Sequence, residues 1–301
     1  MNARDGKDLA ELTGLPPATR PRRAPLAALL LALLVLSGLV GAAAPAGASA
    51  APGKPTAKTP TGTITTTTPT FTWGKASGAA KYELRVYQGT TQILKKTGLT
   101  KLSWKSSTAL PKNVDLTWKV RAGGAGGNGA WSTGLTFNVA LAIGDAYQGG
   151  KIAYLFQSGD PGYVAGQTHG LIAAPADRST GIPWYGGSYV ATGATGTALG
   201  TGLANTDKII AVQGAPAASY AAGWARAYSG GGYSDWYLPS KDELNELFLH
   251  QAAIGGFGPN YYWSSSEFDA DTAWAKAFDL SSPAYAYSKN GASFVRAVRT
   301  F

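Results

Sequence analysis

From Thr70 onward apolar residues recur at every second position: Phe71/Trp73, then Tyr82/Leu84/Val86, then Leu116/Trp118/Val120, then Leu135/Phe137/Val139. Successive side chains of a strand point to opposite faces, so each set lines one face of a strand with polar residues between. Turn signals separate the sets at Ser77-Gly78, Gln88-Gly89, Leu110-Pro111 and the run Gly123 to Gly129. Several short strands at this spacing predict an all-β sandwich over residues 70–140. Further along, the period lengthens. After Pro239, Ser240 suits an N-cap, Glu243 completes a capping box and Asp242 lies in the positive first turn, while Leu244, Leu247 and Phe248 share a face. The pattern predicts a helix from Ser240 to about Ala253, stopped by Gly255-Gly256. A second helix is expected from Ala215 to Ser229, with Tyr220, Trp224 and Tyr228 forming a core-facing stripe. Short strands are expected at 151–156, 208–212, 261–267, 273–280 and 294–301. The second half is therefore α+β.

The N-terminal region belongs to neither pattern. Basic Arg20 to Arg23 precedes an apolar run from Leu26 to Val40, and small residues lead to Ala48-Ser49-Ala50. This predicts a secretory signal peptide over residues 1–50, which places the mature protein at the cell surface or in the medium with no membrane segment after cleavage. The alternative is an uncleaved anchor, since a span needs about 20 apolar residues. Residues 51–69 are rich in Pro, Thr and Lys and read as an extended linker.

Charge sharpens the division. The net +9 splits into +2 for residues 1–50, +10 for residues 51–140 and −3 for residues 141–301. The positive field thus belongs to the sandwich. Cysteine is absent, which excludes disulfides, thiolate metal sites and a cysteine nucleophile.

Four blocks, GYSDWYLPSKDELNEL, YYWSSSE, AWAKAF and FVRAVRTF, occur in fixed order in the second half. Together with IGDAYQGGK, HGLIAA and GLANTDKII upstream, they resemble the Lcl C-terminal domain family over about residues 143–301. The resemblance implies a bacterial extracellular module related to C-type-lectin-like folds. The blocks TPTFTW, YELRVY, LTWKVRA and GAWSTGLTFNV resemble fibronectin type III or Ig-like modules, over about residues 56–140. For the family's namesake adhesin, the resemblance implies binding of sulfated glycosaminoglycan and a trimeric state. This chain departs from that pattern, because its C-terminal domain has no basic run and no Gly-X-Y stalk precedes it.

Candidate chemistry follows from these divisions. No G-x-S-x-G, H-E-x-x-H or phosphate-binding glycine motif is present. His169 beside glycine and His250 in a last helical turn both have structural explanations. Catalysis is not expected. Aromatic faces in loops suit sugar rings, so Trp184, Tyr185 and Tyr189 in the segment PWYGGSY are candidate ligand residues. Lys95, Lys96, Lys101, Lys105, Lys112 and Lys119 are candidates for an anionic polymer such as a sulfated glycosaminoglycan. Glu267, Asp269 and Asp271 alternate as hard oxygen ligands of the kind calcium takes. A solvated acidic loop explains them more plainly. The expectation is therefore an exported, non-catalytic protein that recognises a glycan or anionic surface polymer, with no nucleic-acid partner and with homo-oligomers allowed. The alternatives are a protein-binding structural module of a surface assembly and, behind it, an envelope enzyme of unrecognised type.

Overall fold

The computed structural model describes residues 49–279 and 283–301. All but the last two residues of the expected leader lie outside that range. Among the described residues no helix is long and apolar enough to cross a membrane.

The first half is a β-sandwich. One sheet holds β1 (Ala57–Thr59), β3 (Thr70–Trp73) and β6 (Ser103–Lys105). The other runs β2 (Gly62–Ile64), β9 (Leu135–Val139), β7 (Asp115–Gly124), β4 (Lys81–Gln88), β5 (Thr91–Leu99), with β8 (Gly127–Asn128) paired to β7. Every residue of the four alternating sets is buried except Leu135, which is half-buried. Phe71 of one sheet meets Trp118 and Phe137 of the other edge-on, at ring separations of 5.1 and 6.0 Å. Such pairs add about 1 kcal/mol each beyond the area they bury.

The sandwich also absorbs most of the expected linker. β1 pairs with β3, and β2 then runs parallel to β9 in the opposite sheet. Trp118 Nε1 donates to the carbonyl of Pro60 at 2.9 Å, which fixes the crossing point. Threonine, lysine and proline gave this segment no alternation, but an edge strand buries little and needs none.

The second half is α+β with two sheets. The first is β10 (Ala146–Tyr147), β11 (Gly150–Leu155), β12 (Gly170–Ala173) and β18 (Val298–Thr300). The second runs β13 (Ser179–Ile182), β17 (Ser293–Val295), β14 (Tyr261–Glu267), β15 (Thr272–Ala277), β16 (Tyr285–Ser288). In it β14 and β17 are parallel. The terminal strand expected at 294–301 is therefore two strands in different sheets. The switch occurs at Arg296, whose buried guanidinium donates to the carbonyls of Ala174 and Gly255 and to Asp177.

Helices α1 (Gly202–Gln213) and α3 (Lys241–Leu249) pack on β14. α1 replaces the strand expected at 208–212, because Ile209 joins the core while Thr206 Oγ1 donates to Gly202 O and accepts from Leu238 N. Tertiary fit here overrides β-branched propensity. The helix expected over 215–229 shrinks to a 3₁₀ turn at Ala217–Ser219 and α2 (Ala221–Arg226), since Tyr220 between them is extended at φ −143°, ψ 163°. Tyr220 is buried, with Trp224 and Tyr228 half-buried against the same core, as the stripe predicted. At α3 the capping box forms: Glu243 N donates to Ser240 Oγ at 3.2 Å and Ser240 N to Glu243 Oε2 at 2.8 Å. A short α4 (Gln251–Ile254) follows and ends at Gly255, whose φ of 74° suits glycine.

Glu243 also receives Gly200 N at 2.8 Å and the Tyr237 hydroxyl at 3.3 Å, so it ties a loop to the helix start. Burial pushes its carboxyl up to about 7, although the backbone bonds from Ser240 and Gly200 favour the ionised form. The folded state thus holds this proton more tightly than an unfolded chain with a carboxyl near 4.5. The stabilisation is full below that value and is lost as pH rises to about 7. Its size is on the order of 3 kcal/mol. Stability measured from pH 4 to pH 8 should therefore show a wild-type advantage over Glu243→Gln that shrinks across this window; a pH-independent difference would refute the assignment.

Candidate functional site

The outer face of the larger sandwich sheet gathers charge and aromatic surface. Because Tyr82, Leu84 and Val86 of β4 point inward, Glu83, Arg85 and Tyr87 point outward, and on β7 the same parity exposes Thr117, Lys119 and Arg121. The register sets Lys95 of β5 beside Arg85 and Arg85 beside Lys119, with Glu83 opposite Arg121. Across this row lies the half-buried ring of Trp131. The guanidinium carbons of Arg85 and Arg121 stand 4.9 and 4.7 Å from its centroid, and Lys119 Nζ 5.3 Å. Lys119 also sits 4.8 Å from the Tyr87 ring.

Glu83 is the acid at the centre. It pairs with Arg85 at 2.7 Å and Arg121 at 2.6 Å, with Lys95 at 3.8 Å. Burial opposes its ionisation, but the bonds from Arg121 and Arg85 outweigh that and hold its carboxyl below the ordinary range. One carboxylate against four cations leaves the face positive. The arrangement holds the Arg85 and Arg121 guanidinium groups over an indole with their Nε and Nη2 edges turned to Glu83, and sets Lys95 and Lys119 beside them.

Of the six lysines expected to bind, the structure brings only Lys95 and Lys119 to this face. Lys96 is exposed on the edge of β5, Lys101 lies between β5 and β6, and Lys105 is on β6 in the opposite sheet. Lys112 is paired with Asp145 at 2.6 Å. Sequence reasoning missed Arg85, Arg121, Trp131 and Tyr87, although the polar positions between the buried ones in YELRVY and LTWKVRA carried the signal.

The loop aromatics divide. Trp184 is fully buried, donates Nε1 to the Ser264 carbonyl at 2.8 Å and lies under Lys289 Nζ at 4.7 Å, so it is core and not a ligand platform. Tyr185 and Tyr189 pack together at 4.8 Å, with Tyr189 exposed. A second tyrosine group goes beyond the expectation: Tyr261 of β14 lies 5.3 Å from Tyr285 and 6.1 Å from Tyr287 of β16.

The acidic triplet does not converge. Glu267 is buried against Lys289 Nζ at 2.6 Å and accepts Thr192 N and Gly193 N. Asp269 closes a local turn by accepting Asp271 N and Thr272 N, which draws on hydrogen bonds within the loop. Among the described residues no three His, Cys, Asp or Glu side chains are grouped to hold a metal ion. The calcium reading is therefore corrected to a buried ion pair and a turn.

The histidines have structural partners: His169 bonds Phe301 O and Gln167 Oε1, and His250 bonds Glu246 O. Ser264 Oγ donates to Trp274 O, and Ser266 Oγ to Gly196 O.

Residues 174–299 match the family model of the Lcl C-terminal domain. No curated protein matches the chain. Among solved structures, an Fn3-like protein from Clostridium thermocellum is similar at 19% identity, covering 32% of this chain and 97% of that one, with a TM-score of 0.24. The FN5 domain of Drosophila Lar is similar at 16% identity, covering 30% of this chain and 99% of that one, with a TM-score of 0.25.

Glu267 and Lys289 form an ion pair shut away from water. Removing one partner leaves a dry charge, which typically costs about 3–5 kcal/mol. Urea unfolding followed by tryptophan fluorescence should show Lys289→Ala destabilised by about that amount; a loss below about 1 kcal/mol would mean the pair is solvated.

Proposed function

We propose that the protein is an exported, non-catalytic recognition module that holds an anionic glycan on the outer face of its sandwich domain. The observation that carries this reading is the row Lys95–Arg85–Lys119 with Arg121, laid across Trp131 and offset by a single acid. The Lys95 and Lys119 ammonium groups can meet sulfate or carboxylate oxygens as point charges, and the indole gives sugar C–H groups an apolar surface. Residues 51–140 carry a net +10, which raises the local concentration of a polyanion and speeds its capture.

In this reading the second half is a C-type-lectin-like scaffold, supported by two helices against a central strand, and the module acts outside the cell or at its surface. The family match over residues 174–299 and the apolar leader segment support that placement. Docking onto another protein is the second reading. It is favoured by the exposed aromatic rings of Tyr261 and Phe268, which would cover a flat partner.

Heparin retention across a sodium chloride gradient tests the first reading. At about 1 kcal/mol per contact in water, Lys95→Ala/Lys119→Ala should weaken binding by roughly thirtyfold and elute at lower salt. Unchanged elution of the double variant, or no retention of the wild-type protein, would overturn it.

A further inference from the structure

The chain has no cysteine, and its single methionine is Met1. Among the described residues, therefore, the two side chains that ordinarily absorb oxidants are both missing. A one-electron oxidant then meets tryptophan and tyrosine, whose electron-rich rings are the next to give way. No tryptophan among the described residues is exposed, whereas Tyr163, Tyr189 and Tyr261 are. Of these three, Tyr189 and Tyr261 have tyrosine neighbours.

Geometry separates the two. Coupling of oxidised phenol rings begins with overlap of their π faces, so the rings must be both close and near parallel. Tyr261 meets one condition at a time: Tyr285 is 5.3 Å away but edge-on at 74°, and Tyr287 is stacked at 26° but 6.1 Å away. Tyr185 and Tyr189 meet both, with centroids 4.8 Å apart and planes 35° from parallel. That separation is near the short end of the roughly 4.5–7 Å of aromatic pairs. The loop holds them there. Its flanks are tied to Lys289, whose carbonyl accepts Trp184 N at 2.9 Å and whose Nζ donates to Val190 O at 3.0 Å. Gln213 at the end of α1 clamps the bend: its Oε1 accepts Gly186 N at 2.8 Å and its Nε2 donates to Ser188 O at 3.3 Å. Gly187, at a φ of 115°, supplies the backbone conformation that turns one ring back onto the other. The Tyr189 hydroxyl lies 3.3 Å from Ser288 Oγ, which gives its proton a way out to the surface.

We propose that Tyr185 and Tyr189 are a site of oxidative cross-linking, joined as dityrosine by a peroxidase-type haem oxidant that draws on hydrogen peroxide. Each phenol gives up one electron and its hydroxyl proton. The two phenoxyl radicals form one carbon–carbon bond between positions ortho to oxygen, and the ortho hydrogens move to the oxygens as the rings regain aromaticity. The chain loses two hydrogen atoms, and the peroxide takes up two electrons and two protons and leaves as two waters. Rings already in contact react with an effective concentration of about 10⁵ M or more, far above that of any second copy in solution. The product is a covalent loop closure in a chain that has no disulfides, and it does not depend on what the sandwich face binds.

Treating the full chain with horseradish peroxidase and limiting hydrogen peroxide tests the proposal, read by dityrosine fluorescence of the monomer band and by mass spectrometry. The monomer should become fluorescent and lighter by two hydrogen atoms. Tryptic peptide 179–208, which holds both tyrosines, should carry that loss and give no backbone fragments between Tyr185 and Tyr189. Tyr189→Phe keeps the ring at an exposed position and should lower the yield in this peptide at least about tenfold. Tyr261→Phe should leave it as in the wild-type protein. An unchanged monomer mass, cross-links found only between copies, or undiminished yield in Tyr189→Phe overturns the proposal. So does a link found instead between peptides 242–276 and 277–289, which would assign the reaction to Tyr261 and its neighbours.

Discussion

An ammonium group shut away from water must be surrounded by oxygen, and around Lys289 that requirement joins three loops. Its Nζ donates to Glu267 Oε1 at 2.6 Å, to Ala270 O at 2.7 Å and to Val190 O at 3.0 Å, above the ring of Trp184. Glu267 in turn receives the amides of Thr192 and Gly193. A half-domain rich in glycine and short of regular structure cannot satisfy its backbone through ladders alone, so buried charged side chains take over. Arg296 does the same where the chain crosses between sheets. Each of these charges is costly to bury singly and specific when complete.

This explains which parts of the fold were legible from residue order. Alternation in the sandwich and the Ser240/Glu243 capping box are local signals, and both are realised. β1 and β2 were not legible, since edge strands bury almost nothing that a pattern could reveal. The helix at 202–213 read as a strand at its end because Ile209 and Ile210 are β-branched, while the decisive contacts, Thr206 with Gly202 and Leu238, are tertiary. The terminal strand read as continuous because the reason for its break is a buried arginine whose partners, Ala174, Asp177 and Gly255, are all distant in the chain.

The candidate site was legible in kind but not in membership. A basic excess in the middle of the chain pointed to the half that carries this charged face, and two of the six lysines lie on it. The rest of the face came from arginines and a tryptophan that only strand register brings together. Trp184 and Glu267 failed as ligand candidates for one shared reason: both are members of the oxygen and aromatic cage around Lys289, so their conspicuous chemistry is spent internally. A loop residue's type does not reveal whether it turns inward.

The lysines that left the binding face occupy a different place. β5 and β6 are the outermost strands of their sheets, and Lys96 and Lys105 lie along them with Lys101 in the bend between. An open strand edge is a template for pairing with a neighbouring molecule, and lysine there is a recognised deterrent. Copies crowded side by side on a surface would repel one another along this seam and stay independent, each keeping its flat face turned to the surroundings.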